Sequence, residues 1–182
     1  VDGDLIIGSI ASFWKKVDRL TSDSIVATVM SNMALEDYLK KEGLNLTRVQ
    51  VGDRYVVDEM RSKNCNLGGE QSGHIVLSDY STTGDGLLAA LQILHIICNS
   101  GRPASEVCRP FEPKPQILKS VRFGIGNPLE AATVKQAITD GELKLSNFGR
   151  LLVRTSGTEP LVRVMAEGED KILVNSVVNG IV

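Results

Sequence analysis

A chain of 182 residues is long enough for one generous domain or two small ones with their own cores, and 42% hydrophobic with 23% charged residues is an ordinary globular balance. Twenty basic and 22 acidic residues leave a net charge of -2, so no overall field draws the chain to nucleic acid or a membrane, and 4% aromatics argues against a base-stacking surface. Three widely spaced cysteines (Cys65, Cys98, Cys108), no Cys-x-x-Cys pair and only two histidines argue against a zinc site and fit free thiols in a reducing, cytoplasmic setting.

In chain order, Leu5 to Leu20 predicts an apolar-faced helix, preceded by a solvated acidic turn at Asp2 and Asp4. Ser24 to Met30 is β-branched and short, the pattern of a buried strand. Asn32 is placed to cap a helix over Met33 to Lys41 that stops at Gly43. Leu46 to Val51 predicts a strand and Arg54 to Lys63 a helix; Cys65 to Leu67 and His74 to Ser78 read as strands flanking a turn at Gly68-Gly69. A long helix over Gly86 to Asn99 follows, with His95 a packed or partly exposed helix residue and Cys98 in the core. No apolar run is long enough to span a bilayer.

Strands alternating with helices predict a Rossmann-like mixed α/β/α sandwich, with ligands at loops beyond the carboxyl ends of the strands. Pro103, Pro110, Pro113 and Pro115 then interrupt regular structure, leaving a short helix at Ala104 to Val107 and a linker. Beyond it, a strand at Gln116 to Phe123, a helix at Leu129 to Thr139, a hairpin-like pair around Thr155 and a helix from Asp170 to Val178 predict a smaller α+β domain. Its sheet is expected to be antiparallel with helices on one face. The expected domains are 1–110 and 111–182.

Two clusters carry chemistry. In Arg154-Thr155-Ser156-Gly157-Thr158-Glu159-Pro160, hydroxyls and amides around a glycine form a donor set suited to phosphate oxygens, with Arg154 and Arg163 as flanking charges. The same letters also suit a plain polar turn with two solvated arginines. In Gly69-Glu70-Gln71-Ser72-Gly73-His74, glycines bracket a carboxylate, an amide and a hydroxyl, with an imidazole next in line, a mixed donor and acceptor set suited to sugar hydroxyls. A β-turn facing water would show the same pattern, and His74 alone fits a structural role as well as proton transfer.

Together with Val51-Gly52-Asp53-Arg54-Tyr55-Val56 and Ser78-Asp79-Tyr80-Ser81-Thr82-Thr83-Gly84-Asp85-Gly86, these stretches resemble, in order and over nearly the whole chain, the phosphoglucosamine mutase branch of the α-D-phosphohexomutase superfamily. The resemblance implies the third and fourth of four domains of an enzyme that interconverts glucosamine 6-phosphate and glucosamine 1-phosphate. That reaction runs through a phosphoserine and a glucosamine 1,6-bisphosphate intermediate. It implies sugar contacts from Glu70 and Ser72 and a proton-transfer or orienting role for His74. It implies phosphate contacts from Arg154, Ser156, Gly157, Thr158 and Arg163. Asp53 and Arg54 fit a place beside the cleft, and equally a helix-capping Asp and a surface Arg. The family's Mg²⁺ ligands and phosphoserine belong to domains ahead of Val1, so the chain is expected to be a C-terminal part, inactive alone, whose partners are those domains and a sugar phosphate. Phosphomannomutase or phosphoglucomutase specificity, or a non-catalytic sugar-phosphate-binding module, are the alternatives. Thr155 stands where this branch often has proline, and Gln50 where relatives are often basic.

Overall fold

The computed structural model describes every residue except Ile125 and Thr158. The chain divides into two compact units, Val1–Pro113 and Lys114–Val182. Phe111 stacks on Tyr38 with ring centroids 5.3 Å apart, which ties the proline-rich stretch into the first unit.

The first unit runs α1 (Gly3–Lys16), β1 (Ser24–Thr28), α2 (Met33–Lys41), β2 (Asn45–Val49), α3 (Asp53–Ser62), β3 (Leu67–Gly69), β4 (Ile75–Leu77), α4 (Gly86–Ser100) and the single turn α5 (Ala104–Val107). Its sheet has the order β2-β1-β3-β4, parallel except for the β3–β4 pair. Strand residues alternate between faces, and the two faces bury different helices. Ile25, Leu67, Ile75 and Leu77 meet α1, α2 and α4 around fully buried Trp14, whose indole nitrogen donates to Gln92 Oε1 at 3.1 Å. Val26 and Val76 meet Val56 and Met60 of α3 on the opposite face. Each fully buried aliphatic side chain of this kind contributes about 1.5–3 kcal/mol.

The second unit contains β5 (Gln116–Arg122), α6 (Ala132–Leu145), β6 (Gly149–Thr155), β7 (Leu161–Gly168) and α7 (Lys171–Ile181), with a capped 3₁₀ turn at Pro128–Glu130. Its antiparallel sheet has the order β5-β7-β6. Val162, Val164 and Ala166 of β7 pack with Leu145, Val174, Val177 and Val178, so both helices lie on one face. On β7, Glu167 is fully buried yet held by Arg150 at 2.5 Å and by Gln116 at 3.1 Å. Among the described residues no helix is long and apolar enough to cross a membrane.

Four local expectations are corrected. Helix α1 starts at Gly3 on an Asp2 cap and stops at Lys16, because Asp18 takes a left-handed φ of 54°. Gly68 and Gly69 lie inside β3, not in a turn: a Cβ on Gly68 would sit 2.8 Å from the Val26 carbonyl, and one on Gly69 2.6 Å from the His74 carbonyl. They are glycines of close approach, and the turn glycine is Gly73, at φ +99°. Helix α6 continues through Gly141, where a Cβ would press Val177 at 3.0 Å, so that glycine serves packing against α7. Cys98 is exposed, on the side of α4 that also carries exposed Leu87, Leu91 and Leu94, while Ala89 and Ile96 face the core.

Candidate functional site

In the first unit, β1 connects to β2 through α2 on one face, and β2 returns to β3 through α3 on the other. The connections diverge between β1 and β3, where open α/β sheets leave a crevice at the strands' carboxyl ends. A cleft of about 390 Å³ lies there, lined by Asp2 before α1, Thr28 at the end of β1 and Met30 beyond it, Val51 after β2, and Glu70, Gln71 and Ser72 after β3. Ser72 is exposed and Glu70 half-buried. Glu70 Oε1 accepts from the Gly52 amide at 3.2 Å, which fixes one carboxylate oxygen on the β2–α3 turn. The tip itself is closed by Gly73 N to the Glu70 carbonyl at 2.9 Å and Glu70 N to the His74 carbonyl at 3.0 Å.

Ser72 also borders a second recess of about 410 Å³, with His74, Gly84 and Asp85. A Cβ on Gly84 would fall 2.0 Å from the His74 ring, so glycine there lets the imidazole lie flat against the loop before α4. His74 Nε2 stands 3.9 Å from Asp53 Oδ2, a pairing that orients the ring. Asp53 is therefore beside the histidine at the first turn of α3, without capping that helix. The Arg54 side chain is 87% exposed and pairs with Asp58 at 3.6 Å.

The acidic start of the chain is the feature that sequence reasoning misplaced. Asp4 is fully buried, and its Oδ2 accepts from the Asn32 amide at 2.8 Å. Burial raises its carboxyl to about 6, the Asn32 and Ser31 hydrogen bonds and Arg48 pulling the other way and Asp2 adding to the rise. The signal available in sequence was an acid in the first turn of a helix that plunges at once into an apolar run. Asp2 caps α1 through the Leu5 amide at 3.1 Å. Among the described residues no group of three or more His, Cys, Asp or Glu side chains is placed to hold a metal ion.

In the second unit, Arg154 and Arg163 stand directly opposite each other on β6 and β7. Like charges at such positions repel. Burial, then the charge of Arg163, pulls the Arg154 guanidinium below its usual pKa, and its Nε is buried without a hydrogen-bond partner. An anion between them would relieve both costs. The Ser156 amide is spent on the Leu161 carbonyl at 2.7 Å, which narrows the donor set expected from the sequence. Gly157 is exposed, lies outside the left-handed region, and a Cβ there would meet nothing within 4 Å. Thr158 lies outside the described residues.

Both units match known families. Residues 2–113 match the model for phosphoglucomutase/phosphomannomutase, alpha/beta/alpha domain III, and residues 119–182 that for the phosphoglucomutase/phosphomannomutase C-terminal domain. The chain belongs to the phosphoglucomutase/phosphomannomutase family. Phosphoglucosamine mutases of Azorhizobium caulinodans and Bradyrhizobium diazoefficiens are each 60% identical to it over 182 residues, all of this chain and 41% of theirs. The chain thus spans about two-fifths of the length of these relatives. A solved structure of N-acetylphosphoglucosamine mutase from Aspergillus fumigatus superposes with a TM-score of 0.81 at 18% identity, covering 99% of this chain and 42% of that one. The same fungal enzyme in complex with GlcNAc-6P and magnesium gives 0.78 at 19% identity, with 99% of this chain and 46% of that one covered. At such identities these likenesses establish the fold.

Proposed function

We propose that this chain is the substrate-gripping, C-terminal part of a phosphoglucosamine mutase, which interconverts glucosamine 6-phosphate and glucosamine 1-phosphate through a phosphoserine and a 1,6-bisphosphate intermediate. The observation that carries this proposal is 60% identity to phosphoglucosamine mutases along every residue of the chain. The geometry supports it with a crevice at the strand ends of the first unit and an uncompensated arginine pair in the second.

In this reading Glu70 and Ser72 hold sugar hydroxyls, and His74, oriented by Asp53, moves a proton at a sugar oxygen or fixes its direction. Arg154, Ser156, Gly157, Arg163 and Thr158 hold the phosphate that is not being transferred. Phosphoryl transfer depends on positioning and charge neutralisation, so a grip on both ends of the substrate is a large share of the work. The phosphoserine and the Mg²⁺-binding loop come from the domains ahead of Val1, which are this chain's working partners in the cytoplasm. Mg²⁺, when bound there, neutralises charge on the phosphoryl group in flight.

The longer protein, given glucosamine 6-phosphate, Mg²⁺ and a bisphosphate primer, should form glucosamine 1-phosphate, and the 182 residues alone should form none. Turnover by the 182-residue chain alone would defeat the division of labour. The breadth of the matching family description favours a second reading, phosphomannomutase or phosphoglucomutase specificity. Competition between glucosamine, mannose and glucose 6-phosphates decides it: preference for either of the last two rejects the glucosamine assignment.

A further inference from the structure

We propose that Asp4 is a positioning residue for the sugar site, holding the loop after β1 through the Asn32 amide while the adjoining Gly3 holds the turn after β3. The inference rests on the reading of Glu70 and Ser72 as sugar contacts, and it concerns how their turn is kept in register with the opposite wall of the cleft.

Three contacts join at the first turn of α1. The Gly3 amide donates to the Gln71 carbonyl at 2.9 Å. A Cβ at Gly3 would lie 2.0 Å from the Glu70 carbonyl and 2.8 Å from the Gly73 amide, so the helix start is seated directly against the turn that carries Glu70 and Ser72. One residue on, the Asp4 carboxylate takes the Asn32 amide at 2.8 Å. Asn32 in turn caps α2 by accepting from the Ala34 amide at 3.0 Å. Arg48 of β2 donates to the Ser31 carbonyl at 3.2 Å and to Glu36 at 2.7 Å, closing the loop from its other side. The cleft lies between these two loops, with Thr28 and Met30 on one wall and Glu70 to Ser72 on the other. Consecutive residues on one rigid helix thus set the width of the cleft.

Asp4 makes this link at a cost to stability. The charged groups around it are Asp2 on its own segment, which raises its pKa, and Arg48 on β2, which lowers it; burial outweighs both. A carboxyl raised in the fold stabilises it fully below the unfolded pKa near 4, and that contribution is lost as pH rises through about 6. At pH 7 to 8 the ionised group therefore works against folding. A residue chosen against stability beside a cleft is what a site requirement leaves behind.

The test uses Asp4→Asn and Asp4→Ala in the longer protein that includes the preceding domains. Asparagine keeps an acceptor for the Asn32 amide and removes the charge, so Asp4→Asn should melt higher than the parent at pH 8, by a margin that shrinks toward pH 4.5. It should also keep KM for glucosamine 6-phosphate within two- to threefold. Asp4→Ala should raise KM about tenfold with a smaller change in kcat. Hydrogen exchange should quicken at the Gly73 amide, across the cleft, as well as at Asn32 in Asp4→Ala. A folded Asp4→Ala with parental KM and unchanged exchange at Gly73, or an Asp4→Asn as impaired as Asp4→Ala, overturns the proposal. If the parent protein turns over no glucosamine phosphate, the functional reading fails while the exchange at Gly73 still decides the positioning role.

Discussion

The turn at Glu70 to Gly73 and the turn at Arg154 to Pro160 both interrupt a pair of strands to display polar groups, yet they are braced from outside to different degrees. The first is held from outside itself: α1 reaches it through Gly3, the β2–α3 turn through Gly52, and the loop before α4 through the bed of His74. Among the described residues the second has hydrogen bonds within its own hairpin, Ser156 N to the Leu161 carbonyl and Leu161 N to the Glu159 carbonyl, each at 2.7 Å. One comes from outside it, the Phe123 amide to the Pro160 carbonyl at 3.1 Å. A turn braced by three elements can hold several weak, directional contacts in register, which a sugar ring needs. A turn with less outside bracing suffices for a charged group, whose recognition depends on charge more than on angle.

Breaking the bracing should have the largest effect. Gly3→Ala places a methyl group inside contact distance of backbone at Glu70 and Gly73, where no flexible side chain can yield. Overpacking of this kind costs about 1–3 kcal/mol. The unfolding midpoint of the longer protein should fall accordingly, and amide exchange at Gly73 should rise. A parental midpoint with unchanged exchange would show that the turn is not seated on the helix.

Much of this architecture is legible in the sequence because its signals are local. The apolar period, the Asn32 cap and the proline-rich break all mark elements that the structure contains. What escapes is set by distant neighbours. Gly68-Gly69 looks like a turn until Val26 is known to lie across from it, and Gly141 looks like a helix end until Val177 presses on it. Asp4 looks solvated until the Asn32 loop closes over it, and Cys98 looks like core because α4 is apolar on both sides. The site shows the same division. The residue types in both turns are readable, whereas the pairing of His74 with Asp53 requires the packing of α3 beside the β3–β4 turn, and that of Arg154 with Arg163 requires strand register.

The second turn should respond in affinity and leave stability intact. Arg154→Ala removes one of two opposed charges, so the fold should be unharmed or slightly firmer at neutral pH. Loss of a charge-assisted bond to phosphate costs about 1.5–3 kcal/mol, which is roughly 10- to 100-fold in sugar-phosphate affinity of the longer protein. Arg154→Lys should recover little of it, because an ammonium does not reproduce the planar fork. Calorimetric titration reads both; intact affinity in Arg154→Ala removes the phosphate assignment.

The smallest effect isolates what Gly157 is for. Its backbone does not require glycine, and a Cβ there meets open space, the reverse of Gly3 in both respects. Gly157→Ala should therefore leave the unfolding midpoint within about 0.5 kcal/mol of the parent. If the phosphate comes against this stretch of backbone, the added methyl group occupies the approach, and affinity should drop by about 1 kcal/mol, roughly fivefold. Paired with Gly3→Ala, the variant separates two uses of one residue type: Gly3 makes room for the protein's own chain, and Gly157 makes room for a ligand. Unchanged affinity in Gly157→Ala would leave the arginine pair as the whole of the phosphate grip and move the anion away from the tip, toward the strands.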